Sequence, residues 1–103
     1  MKDIIFLGSS KDDLKDFPDE VRRDAGFQLS LVQSGFEPSD WKPMPDIGRG
    51  VREIRIRIGG AFRVIYLSSR PEGVYVLHCF QKKSQQTAKQ DIALAQSRFK
   101  QIG

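Results

Sequence analysis

The chain has 103 residues, 39% of them hydrophobic and seven of them phenylalanine, enough for one modest core and excluding both a two-domain protein and a disordered one. A net charge of +4 is a moderate basic bias, compatible with a polyanionic partner without demonstrating one. The single cysteine, Cys79, excludes an internal disulfide and a thiolate metal cluster, and the apolar run Ile4–Leu7 is too short for a signal-peptide core or a membrane span, so the expected setting is a reducing cytoplasm with no membrane partner.

Residues 2–8 carry an apolar run closed by Gly8, the pattern of a buried strand. Ser9-Ser10 offers an N-cap, and Ser10 with Asp13 resembles a capping box, which predicts a short helix to about Asp16. Phe17-Pro18 ends it, because the residue before a proline is pushed out of helical geometry. Pro18 suits the first turn of a second helix, where Asp19 and Glu20 complement the dipole. Val21, Ala25, Leu29 and Val32 make its apolar stripe and Gly35 its stop. Phe27 and Leu31 form an i, i+4 pair away from that stripe; either a loop covers them or they are a docking site for a partner. Residues 35–50 hold three prolines and three glycines and read as a loop, pinned by Trp41 and carrying the cations Lys42 and Arg49.

From Val51 to Lys83 the pattern is an antiparallel meander of three strands. In the first, Ile54, Ile56 and Ile58 face one way, and Glu53, Arg55 and Arg57 the other. The middle strand, Phe62–Leu67, is apolar on both faces except at Arg63, which predicts a central position. A two-residue Gly59-Gly60 turn would set Arg63 opposite Ile56; a longer or bulged turn would set it with Arg55 and Arg57. The cost of an unpaired guanidinium among isoleucines favours the second. The third strand, Val74–Phe80, contains His78 and exits through Lys82-Lys83. Thr87 with Gln90 then signals a last helix, Ala88–Ile102, with Ile92, Ala95 and Phe99 as its stripe. The order predicts one domain over residues 1–103, an α+β sandwich with a mainly antiparallel four-stranded sheet.

Three segments, Arg52-Glu53-Ile54-Arg55, Phe62-Arg63-Val64-Ile65-Tyr66 and Phe80-Gln81-Lys82-Lys83, stand in this order ahead of a helix with Ile92, Ala95 and Arg98. Together they resemble the RelE/ParE superfamily of bacterial toxins, most closely its HigB-like, phage-derived branch. The resemblance implies a RelE-like β-α-α-β-β-β-α fold. It also implies the toxin of a type II toxin–antitoxin system, a ribosome-dependent mRNA endonuclease that uses the RNA 2′-hydroxyl as nucleophile with neither metal nor cofactor. By position it implies catalytic roles for Arg63, Arg55, Lys82 and Lys83 and RNA contacts for Arg49, Arg57, Lys42 and Lys89. The implied partners are mRNA, the ribosome and a small helix-turn-helix antitoxin. Two other outcomes are a ParE-like toxin that inhibits a protein target such as DNA gyrase, and a degenerate member that only binds its antitoxin.

The chemistry of such cleavage sets tasks for these residues. An arginine fork at Arg63 can grip two phosphate oxygens, and one preorganised donor is worth about 3–4 kcal/mol in the transition state. A lysine acting as a base at pH 7 must fall by about three pKa units, so phosphate binding is the preferred role for Lys82 and Lys83. His78, inside an apolar strand, reads as a core imidazole rather than an acid or base. Some RNase members of the superfamily carry a tyrosine or histidine near the chain end; here neither follows His78. Each cation also has a structural alternative: Arg52 and Arg57 pairing with Glu53 or Asp46, and Arg63 bonded to a loop carboxylate. One histidine and one cysteine leave no metal site.

Overall fold

The computed structural model describes residues 1–103, with β1 (Ile4–Phe6), α1 (Ser10–Lys15), α2 (Asp19–Gln33), β2 (Trp41–Pro43), β3 (Val51–Arg57), β4 (Ala61–Leu67), β5 (Val74–Lys82) and α3 (Lys89–Lys100) in chain order. The strands form one sheet in the order β1-β5-β4-β3-β2. Only β1 runs parallel to its neighbour, β5. The α+β class holds, but the sheet is mixed and has five strands instead of the expected four.

The additional strand, β2, lies in the segment expected to be a loop. It is three residues long and ends on Pro43, so it offers no alternation to recognise. A proline is tolerated there because β2 is an edge strand. Trp41 does anchor this segment: the Arg52 guanidinium lies 4.0 Å from its ring centroid.

The register follows the longer-turn expectation. Arg57 pairs with Ala61, Arg55 with Arg63 and Ile56 with Phe62. Gly59 and Gly60, at φ of 61° and 156°, supply the backbone that this turn needs. Side chains of paired residues share a face, so Glu53, Arg55, Arg57 and Arg63 all point to one side of the sheet.

Two apolar layers result. On one face α2 buries Val21, Ala25, Leu29 and Val32 against Ile54, Ile56, Val64 and Tyr66. On the other, α3 sets Ala95, with Ile92 and Phe99, against Val51, Ile65, Leu67 and Leu77. The middle strand β4 is buried on both sides, as its composition predicts. Cys79 belongs to the first layer; burial, then the nearby Asp13 carboxylate, pushes its thiol up to about 12, so it is inert at neutral pH.

The capping boxes expected at two helix starts do not form. Ser9, not Ser10, precedes α1 and donates its hydroxyl to Asp13 Oδ2 at 2.8 Å. Ser10 is buried and donates to the Val76 carbonyl at 3.1 Å, tying α1 to β5. The last helix begins behind Ala88 without a side-chain cap, because the Thr87 hydroxyl is turned toward Glu53 Oε2, 3.4 Å away.

The tie between α3 and the sheet is Arg98. Its guanidinium, buried, donates to the Leu77 carbonyl at 2.8 Å and to Ser9 Oγ at 3.1 Å. Gly8 is required beside it, since φ there is 54° and a Cβ would stand 2.5 Å from Arg98 Nε. Gly8→Ala should therefore lower stability by more than the ~1–2 kcal/mol of left-handed backbone alone. Gly26→Ala, in α2 with nothing within 4 Å, should raise stability instead, by about 0.5–1 kcal/mol. Urea midpoints at unchanged m-value measure both. No helix is long and apolar enough to cross a membrane.

Candidate functional site

The site starts from Glu53, which the strand alternation turns toward the α3 side, directly across from Lys42 on β2. Its side chain is fully buried, and Oε1 lies 3.3 Å from Arg63 Nε and 3.9 Å from Lys42 Nζ. Arg63 is itself 4% exposed and donates from Nη1 to the Phe62 carbonyl at 3.0 Å. The contact with Glu53 is a close ion pair rather than an aligned hydrogen bond, since neither Nε nor Oε1 has a hydrogen-bond partner. Burial lowers the arginine's pKa and Glu53 works against that shift, but a guanidinium stays charged in a protein. Two buried charges are tolerated because each answers the other.

Above this pair sits Lys82, which β5 brings opposite Ala61. Its pKa is lowered, first by burial and then by Arg63 and Lys42, with a smaller contribution from Arg57. Lys42 and Lys82 both line a cavity of about 320 Å³ that also reaches Thr87. Three cations around one buried carboxylate leave an excess of positive potential at the mouth of that cavity. An anion entering there would stabilise the Lys82 ammonium that its neighbours disfavour.

The remaining expected residues fall into different settings. Arg55 is on the same face but is engaged: Nε and Nη2 donate to Asp40 Oδ1 at 3.0 and 2.7 Å, and its backbone N–H donates to the Asp40 carbonyl at 2.9 Å. Arg57 is exposed at the end of β3. Lys83 is exposed and lines a smaller cavity with Phe80 and Asp91. Arg49 and Lys89 are exposed but do not line the Lys42–Lys82 cavity. His78 is buried, stacks on Phe80 with ring centroids 4.7 Å apart, and meets Asp91 Oδ1 through Nε2 at 2.8 Å. With Nδ1 unpartnered, the tautomer that fits carries its proton on Nε2, and the imidazole fixes the first turn of α3 to the sheet.

Sequence reasoning missed Asp40 and Asp91 as partners. It offered Glu53 to Arg52 or Arg57 where the structure gives it to Arg63, whose partner is thus a strand carboxylate and not a loop one. Glu53 was legible in principle, because the register that sets Arg63 beside Arg55 sets a carboxylate on the same face. Arg52 does not pair with Glu53 or Asp46; its contact is Glu37, at 4.0 Å.

A second feature lies on the outer face of α2. The helix ends in a Schellman motif: Gly35 has φ of 88°, its N–H donates to the Val32 carbonyl at 3.0 Å, and the Phe36 N–H donates to the Leu31 carbonyl at 2.8 Å. Phe36 is thereby held close to Leu31. Phe27 and Phe36 are 58% and 66% exposed and Leu31 is half-buried, so no loop covers the pair read from the sequence.

The fold and site define a small α+β protein with a cationic pocket over a buried ion pair. The family model described as Phage derived protein Gp49-like (DUF891) matches residues 12–100, and the chain belongs to that family. It is a RelE/HigB-like toxin family, which supports the superfamily resemblance and carries with it an antitoxin as partner. No curated protein matches the chain.

Proposed function

We propose that residues 1–103 are one toxin domain of the HigB-like type, acting in the cytoplasm as a ribosome-dependent mRNA endonuclease. The observation that carries this reading is Lys82, whose ammonium is disfavoured by burial, Arg63 and Lys42 at the mouth of a cavity. A phosphate of the RNA backbone would relieve that repulsion, with Lys82 and Lys42 as its grips and Arg63 as the fixed charge beneath. Arg55 and Lys83 flank this point, and Arg57, Arg49 and Lys89 supply outer contacts along the RNA. The 2′-hydroxyl is the nucleophile, and no metal or cofactor enters the reaction.

Inducing the gene and mapping mRNA 5′ ends tests the proposal; new ends within translated codons are expected. A second reading, a non-catalytic toxin of a protein target such as DNA gyrase, is favoured by the 4% exposure of Arg63. DNA-damage signalling without new mRNA ends would select it. Neither outcome, with antitoxin binding retained, would mark a degenerate member.

The antitoxin, in this reading a small helix-turn-helix protein, docks on Phe27, Leu31 and Phe36. Phe27→Glu should raise its dissociation constant about 30-fold or more, the effect of losing one interface hot spot, at an unchanged melting temperature. Unchanged binding by calorimetry would remove Phe27 from the interface.

A further inference from the structure

We infer that the cavity beside Lys42 and Lys82 is a nucleobase pocket for single-stranded RNA, taking a base with an exocyclic amino group in preference to uracil. The inference rests on the RNA reading above and deepens it. A phosphate site needs only cations, yet this cavity of about 320 Å³ is built from more. Pro43, Pro45 and Ile92 give it apolar walls. The rigid pyrrolidine rings offer apolar C–H contact to the face of a base, without aromatic stacking, and the volume is at the small end of ligand sites, matching one splayed nucleotide rather than a stack.

The polar lining is suited to reading a base edge. Gln85 and Gln86 are exposed lining residues whose side-chain amides make no hydrogen bond within the chain. Asp46 is also part of the lining. Its backbone carbonyl accepts from Gln96 Nε2 at 2.7 Å, which fixes the turn, while its carboxylate makes neither a hydrogen bond nor an ion pair. A free carboxylate accepts from the amino group of cytosine or adenine and repels the carbonyl oxygens of uracil; a glutamine amide matches the adenine edge. Lys42 and Lys82 then lie where the phosphate attached to that nucleotide would fall.

The test titrates the purified protein at low salt with fluorescent RNA pentamers of adenosine, cytidine or uridine. The adenosine and cytidine pentamers are expected to bind about tenfold tighter than the uridine pentamer, the size of one good base-edge contact. Asp46→Asn and Gln86→Ala should shrink that ratio below about threefold and leave the salt dependence unchanged, since neither removes a cation. Equal binding of the three pentamers, or a ratio that survives in both variants, would overturn the pocket. The RNA reading would then still stand if Lys42→Ala weakened all three together. If no pentamer binds, the pocket is overturned, and the RNA reading, which is ribosome-dependent, stands or falls on the mRNA end-mapping above.

Discussion

Arg63→Ala is expected to cost about 3–5 kcal/mol of stability, whatever it does to activity. The reason is Glu53, whose side chain is fully buried with Arg63 Nε at 3.3 Å as its nearest cation. Removing the guanidinium leaves a carboxylate with Lys42 Nζ at 3.9 Å and a long contact from Thr87 at 3.4 Å, too little to replace hydration. Loss of toxicity in Arg63→Ala would thus be ambiguous between chemistry and folding. Arg63→Leu combined with Glu53→Leu resolves it. Removing both charges together should recover most of the loss, because the desolvation penalty of the pair disappears with its attraction. Chemical denaturation gives the coupling, and mRNA end-mapping with the stable double variant gives the role. A stable but inactive double variant fits Arg63 as the fixed charge beneath the phosphate. Full cutting by the double variant would make Arg63 scaffold only, and a single variant as stable as the parent would show that the ion pair is not the hub.

What could be read in advance divides along physical lines. The meander, the α2 stripe and the α3 stripe follow from periodicity, which reports local geometry and burial together. The position of Arg63 beside Arg55 followed from weighing a buried guanidinium against a turn length, and the pairing bears it out. β2 was illegible because three residues ending in proline carry no period. Thr87 misled because a hydroxyl ahead of a helix can cap it or reach elsewhere, and only the tertiary fold brings Glu53 within its range. Local patterns also predict which side chains share a face, but not how deep each lies. Depth separates buried Arg63 from exposed Arg57 on the same face of the sheet, and depth decides which cation is structural and which can meet a ligand.

Lys82 meets that second description, and its substitution should have the larger functional effect. Lys82→Met is expected to slow mRNA cleavage about 100- to 1,000-fold, the effect of losing one preorganised donor at developing charge, with little change in melting temperature. The pH dependence follows from the direction of its shift. Burial, Arg63 and Lys42 hold its pKa below the ordinary 10.5, so the ammonium is lost on the alkaline side earlier than in a free lysine. RNA affinity should fall as pH rises through that lowered value. Stability should move the other way: between the folded and unfolded pKa values the unfolded chain binds more protons, so this group's contribution to stability increases with pH. Lys82→Arg keeps its charge throughout and should abolish the alkaline fall in affinity while binding RNA at neutral pH. Binding by Lys82→Arg that declines over the same alkaline range as the parent would assign the titration to another group, and would leave the cationic pocket without its proton-sensitive member.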